Sequence, residues 1–202
     1  MLYFDQHLPT ELLSDKPSGQ KVITAFGDSL TAGYGLPVHS SYPSILSKKL
    51  KAEGYNYKVI NAGLSGDTTA GGIRRVKWVI NTKPDLVILE LGANDALRGM
   101  SVPEAKANLS KIIEEIKNHK INILLCGMNA PRNLGEKYYK EFDSIYPDLA
   151  KKYHLNLIPF FLEGVALKKE LVIEDGIHPN EKGYYKIVDN VVWKYLKPIL
   201  IK

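Results

Sequence analysis

An α/β fold built on a parallel sheet is predicted by three observations. Five short runs rich in Val, Ile, Leu and Phe have the length and residue type of buried strands. Between them lie segments whose apolar residues recur every three or four positions, the period of a helix. The chain has 202 residues, 45% apolar and 24% charged, which suits one α/β domain with a full core. Strand and helix alternate along the chain, so the strands run parallel and helices cover both faces of the sheet.

The first strand is Val22-Ile23-Thr24-Ala25-Phe26. It stops at Gly27, where the backbone can turn, and delivers Ser29 at its carboxyl end. A Gly-rich loop from Thr31 to Val38 follows, then a helix from about Tyr42 to Glu53, with Gly54 as its stop. Tyr57 to Ile60 is the second strand, Gly63 to Thr69 a loop, and Ile73 to Ile80 a helix. The unbroken apolar run Leu86 to Leu91 suits a central strand buried on both faces. Ser101 and Glu104 form a capping box, with Pro103 inside the first turn, for a helix reaching about His119. Ile121 to Cys126 is the fourth strand and Asn156 to Pro159 the fifth. Between them, the helix Lys137 to Tyr153 should be kinked or split by Pro147. Asn180 can cap a last helix whose apolar stripe is Tyr184, Ile187, Val188, Val191, Val192 and Tyr195.

Residues 1–20 read as an N-terminal tail and 21–202 as one domain. Asp5, His7, Glu11, Asp15 and Lys16 interrupt every apolar stretch of the tail, so it does not read as a signal peptide, and the expectation is a cytoplasmic protein, or a periplasmic or secreted one if an export signal was removed. No apolar run approaches the ~18 residues that an integral membrane segment needs. The net charge is +5, but no basic run exceeds Lys-Lys pairs, which argues against nucleic acid as a partner. The single cysteine, Cys126, excludes an intrachain disulfide and lies inside a strand as a core residue. The five histidines show no metal-ligand spacing, so no metal is expected. Gly33-Tyr34-Gly35 lacks the third glycine of a dinucleotide fingerprint, and Gly66 to Gly72 lacks the Lys-Ser/Thr of a phosphate loop.

Chemistry concentrates in four loops. They are Gly27-Asp28-Ser29-Leu30, Asn61 to Thr69, Gly92-Ala93-Asn94-Asp95 and Asp175-Gly176-Ile177-His178-Pro179. In a parallel sheet the first three meet at one edge. Acyl transfer needs a nucleophile, a base, a group that orients the base, and donors for the oxyanion. Ser29 is the candidate nucleophile and His178 the candidate base. Asp175, three residues earlier, can hold the second imidazole nitrogen. The N–H groups of Ser29 and Gly63 and the side-chain amide of Asn94 are candidate oxyanion donors.

These four blocks, in order, resemble the SGNH hydrolases, also called the GDSL esterase/lipase family. The resemblance runs from about Lys21 to Lys197 and is nearest to the bacterial branch of acyl-CoA thioesterases, lysophospholipases and arylesterases. It implies a three-layer α/β/α sandwich of flavodoxin-like character around a five-stranded parallel sheet. It implies a cofactor-free Ser29–His178–Asp175 mechanism through an acyl-enzyme on a small ester or thioester substrate. Asp28, Leu97 and Met128 are the candidate substrate-binding residues, with Asp28 also ordering the nucleophile turn. Two other readings stand beside this one: a carbohydrate acetyl esterase of the same family, and an inactive flavodoxin-like binding module.

Overall fold

The structure, a computed structural model, describes residues 19–202. The reading of the tail, with His7, lies outside the described residues apart from Gly19 and Gln20. Five strands form one parallel sheet: β1 (Lys21–Gly27), β2 (Tyr57–Gly63), β3 (Leu86–Glu90), β4 (Asn122–Cys126) and β5 (Asn156–Ile158). Their order is β2-β1-β3-β4-β5. The chain winds outward from β1 to β2 and then crosses to β3 on the other side of β1. Above the carboxyl ends of β1 and β3 the connections diverge and leave a crevice, which is where open α/β sheets bind ligands. Every residue of β3 is buried, as its unbroken apolar run requires.

Among the described residues nine α-helical segments surround the sheet: α1 (Ser29–Ala32), α2 (Tyr42–Ala52), α3 (Thr69–Asn81), α4 (Ala93–Leu97), α5 (Val102–Asn118), α6 (Glu136–Asp143), α7 (Ile145–Tyr153), α8 (Glu181–Lys186) and α9 (Trp193–Leu196). Helices α3, α5, α6 and α7 pack on one another, while α2 packs on α8 and on the π turn Ile187–Val192 that joins α8 to α9. The Ser101 hydroxyl accepts from the Glu104 N–H at the start of α5, as its capping box predicts. Asn180 accepts from the Gly183 N–H and caps α8. Pro147 splits its helix: α6 ends at Asp143, and Pro147 falls in the first turn of α7, where its missing N–H costs nothing.

Two expectations move. Strand β2 continues three residues past Ile60, because Asn61, Ala62 and Gly63 pair in register with Ala25, Phe26 and Gly27. Gly63 therefore belongs to the sheet and not to the loop. The stretches after Ser29 and Gly92, expected as loops, each wind into a short helix, α1 and α4. Cys126 is fully buried, and burial raises its thiol pKa well above the ordinary value, so it stays an inert core residue. No helix among the described residues is long and apolar enough to cross a membrane.

Candidate active site

Gly27 ends β1 because nothing larger fits. A Cβ there would fall 2.0 Å from the Thr31 hydroxyl oxygen and 2.5 Å from Glu90 Oε2. The chain then turns at Asp28, whose Oδ1 accepts from the Leu30 N–H at 3.0 Å and caps α1. Ser29 is the first residue of that helix and keeps 8% of its surface exposed. The Tyr184 hydroxyl, from α8, donates to the Leu30 carbonyl at 2.9 Å and pins the turn to the C-terminal helix.

His178 arrives from a loop near the far end of the chain. Its Nε2 lies 2.8 Å from Ser29 Oγ, and its Nδ1 lies 2.5 Å from Asp175 Oδ2. With the imidazole proton on Nδ1 and held by the carboxylate, Nε2 is an acceptor for the serine hydroxyl. Asp175 also gathers its own loop, since Oδ1 accepts from the N–H groups of Ile177 at 2.8 Å and His178 at 3.0 Å. Partial burial pulls the Asp175 carboxyl upward, but these bonds and the imidazole outweigh it and hold it below the ordinary carboxylate range. Gly176, at φ +72°, supplies the left-handed turn between the two residues. The Tyr34 ring leans on the imidazole, with centroids 4.7 Å apart. His39, His119 and His154 lie elsewhere on the surface or at helix ends.

Asn94, in the first turn of α4, aims its amide at the same turn. Its Nδ2 donates to Asp28 Oδ2 at 3.1 Å and to the Asp67 carbonyl at 2.9 Å. Burial raises the Asp28 carboxyl to about 6, against the opposing pull of the Leu30 and Asn94 hydrogen bonds. Asp28 is fully buried, and both its oxygens are engaged beneath the turn. The expected contact of Asp28 with substrate is therefore corrected: it orders the turn and the Asn94 amide, and no substrate can reach it.

Gly63 is not brought to the site either. Its N–H donates to Asn61 Oδ1 at 2.9 Å, and its α-carbon is pressed so close to α1 that a Cβ would sit 2.2 Å from the Ala32 nitrogen. Ser65 and Gly66 line the cleft from this loop, with Gly66 at φ +79°. The Gly66 N–H has no partner among the described residues. The sequence does carry a signal for it: Ser65-Gly66-Asp67 is a turn-forming run, and only the end of β2 lies further along than expected. Arg75 carries no such signal. From α3 its guanidinium grips Asp67 Oδ2 at 2.5 and 2.8 Å and donates to the carbonyls of Ala62 at 2.9 Å and Gly27 at 3.0 Å. One side chain thus ties the β1 and β2 loops together.

Ser29, His178, Asn94 and Gly66 open onto one cleft of about 740 Å³. Its wall is mostly apolar, and Leu97 and Met128 both line it. Leu97 is half-exposed at the mouth and Met128 is buried. The pocket is of the size and character that takes a small apolar ligand with a few polar groups at one end.

Known proteins resemble this chain in sequence and in fold. Residues 25–186 match the GDSL-like lipase/acylhydrolase family. The chain is 39% identical over 186 residues to an arylesterase of Vibrio mimicus, covering 92% of this chain and 93% of the relative. It is 35% identical over 201 residues to thioesterase 1/protease 1/lysophospholipase L1 of Escherichia coli K12, covering 98% and 95%. The crystal structure of AlinE4, an SGNH-hydrolase family esterase, superposes with a TM-score of 0.76 at 50% identity, covering 92% of this chain and 100% of that one. The sheet order, the likeness to these folds and the family match agree on a serine hydrolase of ester and thioester bonds. The chain belongs to the GDSL-like lipase/acylhydrolase family, the SGNH hydrolases.

Proposed function

We propose that Ser29 is the nucleophile, His178 the general base and Asp175 its orienting partner, acting on esters or thioesters of small or single-chain acyl groups. One observation carries this reading: an unbroken hydrogen-bond chain from Asp175 through His178 to Ser29 that ends in an apolar cleft. Ser29 Oγ bonds to the acyl carbon as its proton passes to His178 Nε2. The resulting oxyanion collapses, the bond to the alcohol or thiol breaks, and His178 returns the proton to that leaving group. Water then repeats the sequence on the acyl-enzyme and releases the acid.

Three donors serve the oxyanion: the N–H groups of Ser29 and Gly66 and the Asn94 amide. Gly66 replaces Gly63 here, because it lines the cleft with its N–H unengaged while the Gly63 N–H belongs to Asn61. Asn94 holds both amide hydrogens against acceptors at rest. The Asp28 carboxylate keeps one. The other passes from the neutral Asp67 carbonyl to the oxyanion, since a charged acceptor binds an N–H more strongly than a neutral one. Apolar lining supports an acyl chain as the occupant of the cleft over a sugar, which would need more polar partners.

The test is hydrolysis of p-nitrophenyl esters from acetate to palmitate by the wild type and Ser29→Ala. The reading expects activity that collapses in the variant by roughly 10⁴-fold or more, with an optimum chain length set by the cleft. Equal rates in both proteins would overturn the assignment of Ser29.

A further inference from the structure

Glu90 is the last residue of β3, in the middle of the sheet, and is fully buried. The four residues before it, Leu86 to Leu89, are apolar. Its Oε2 accepts from the Thr31 hydroxyl at 2.8 Å and, more weakly, from the Asp28 N–H at 3.4 Å. Those two residues flank Ser29, one position before it and two after. Oε1 has no partner among the described residues. Its carboxyl group is one of three groups, with the Thr31 hydroxyl and the Glu90 backbone carbonyl, that leave no room for a Cβ at Gly27.

The titratable groups that face Glu90 come from every neighbouring element. They are Asp28 from the β1 turn, Tyr42 from α2, Cys126 from β4, Tyr146 from α7 and Tyr184 from α8. None of these is a cation, and Asp28 is a second acid; the Arg75 guanidinium of α3, which reaches the Gly27 carbonyl, is paired with Asp67. A buried carboxylate without a countercharge is costly enough that the group takes up a proton instead. Burial first, and the Asp28 charge second, push the Glu90 carboxyl well above the ordinary range. Function points the same way. A second negative charge under the Ser29 turn, beside the Asp28 carboxylate, would add to the field that opposes the charge growing on the oxyanion, whereas a neutral acid accepts the same two hydrogen bonds without that added penalty.

We propose that Glu90 is a positioning residue for the nucleophile turn and that it works as an un-ionised carboxylic acid, holding the Thr31 hydroxyl and the Asp28 N–H so that Ser29 keeps its place at the cleft. The kinetic half of this rests on Ser29 being the nucleophile. The protonation half does not.

Infrared spectroscopy at pH 8 tests the protonation directly. Asp28, titrating at about 6, is ionised there, so the carbonyl stretch of an un-ionised carboxyl should be present in the wild type and absent in Glu90→Gln. Kinetics test the positioning. The glutamine carbonyl can accept from Thr31 and Asp28 as the acid does, so Glu90→Gln should keep kcat within about threefold. Glu90→Ala should lower kcat by about 100-fold with KM nearly unchanged, the size of effect that an ångström of misplacement produces. Thr31→Val, which removes the hydroxyl from the same oxygen, should lower kcat by roughly threefold to tenfold, in proportion to the loss of one neutral hydrogen bond. Absence of the band, or a Gln variant as slow as the Ala variant, would overturn the proposal. Should Glu90→Ala fail to fold, the band and the Gln variant still decide. Full activity in Ser29→Ala would instead sink the nucleophile while leaving the infrared band in place.

Discussion

The two ends of the Ser29–His178 hydrogen bond are held by opposite means. On the serine side, Asp28 and Thr31 are fully buried and the turn is tied to Glu90, Asn94 and Tyr184, each from a different element. On the histidine side, the Asp175 side chain is 33% exposed, and Gly176 and Ile177 are exposed as well. That loop is held by local bonds: Ile173 N–H to the His178 carbonyl at 2.8 Å, and the short antiparallel bridge between Val172 and Pro179. The difference follows the chemistry. A nucleophile must keep its aim at the carbonyl carbon, so the rigid core holds it. A base takes on a full positive charge in every cycle, and a carboxylate near water can balance that charge without the cost of a buried ion pair.

The contrast can be broken from either side. Ser29→Ala removes the reacting atom and carries the largest loss, roughly 10⁴-fold or more in kcat. Asp175→Asn comes next. The amide cannot hold Nδ1–H as the carboxylate does, and kcat should fall by about 10³–10⁴-fold. Because Asp175 is partly exposed, its melting temperature should hardly move; thermal unfolding alongside kinetics checks both. A matching loss of stability would mean that the loop is a core element after all.

Asp28→Asn works on the buried side and should show the reverse pattern, a smaller kinetic effect and a clear effect on stability. An Asn94 amide deprived of its carboxylate partner should lower kcat by roughly tenfold to 100-fold. The folded Asp28 carboxyl titrates at about 6 and its ordinary value is 3.8. Between those values the folded chain keeps a proton that the unfolded chain has released. Stability from this group is therefore fully present below about 3.8 and is lost as pH rises through 6, by roughly 3 kcal/mol in full. Urea unfolding across pH 4 to 7 should show this slope in the wild type and not in Asp28→Asn. An equal slope in both proteins would refute the assignment.

The smallest effects lie along the cleft and sharpen the same contrast. Met128→Ala, in the buried wall, should cost about 2–5 kcal/mol of stability. Leu97→Ala, at the half-exposed mouth, should stay within about 0.5 kcal/mol. Both should move the preferred acyl length in the p-nitrophenyl series. A Leu97 variant with an unaltered chain-length profile would place the acyl group elsewhere in the cleft.

Much of this architecture is legible in the amino-acid sequence. The members of the proposed triad are marked by residue type and short spacing: a serine past a glycine-ended strand, and an aspartate three residues before a histidine. The strands β1 and β3 are apolar runs that need no context. The end of β2 is not legible. Asn61, Ala62 and Gly63 have little strand preference of their own, and they stay in the sheet because β1 lies in register beside them. That shift carries the proposed backbone donor from Gly63 to Gly66. Single-turn helices such as α1 and α4 are hidden for a related reason: each depends on capping or packing rather than on periodicity. Arg75 reads as one charge among many on α3, since its acceptors, the carbonyls of Ala62 and Gly27, meet it only in three dimensions.

The path of the chain also sets which part of it completes the site. The serine turn, the Asn94 amide and the Gly66 loop all belong to the first half of the polypeptide, and the last strand, β5, ends at Ile158. The candidate base comes later, across a sequence separation of 149 residues from Ser29, and the Tyr184 bond to Leu30 spans 154. Tyr184, Ile187 and Val188 belong to the same buried core as β1 and β3, so the segment that delivers His178 to Ser29 also closes the core.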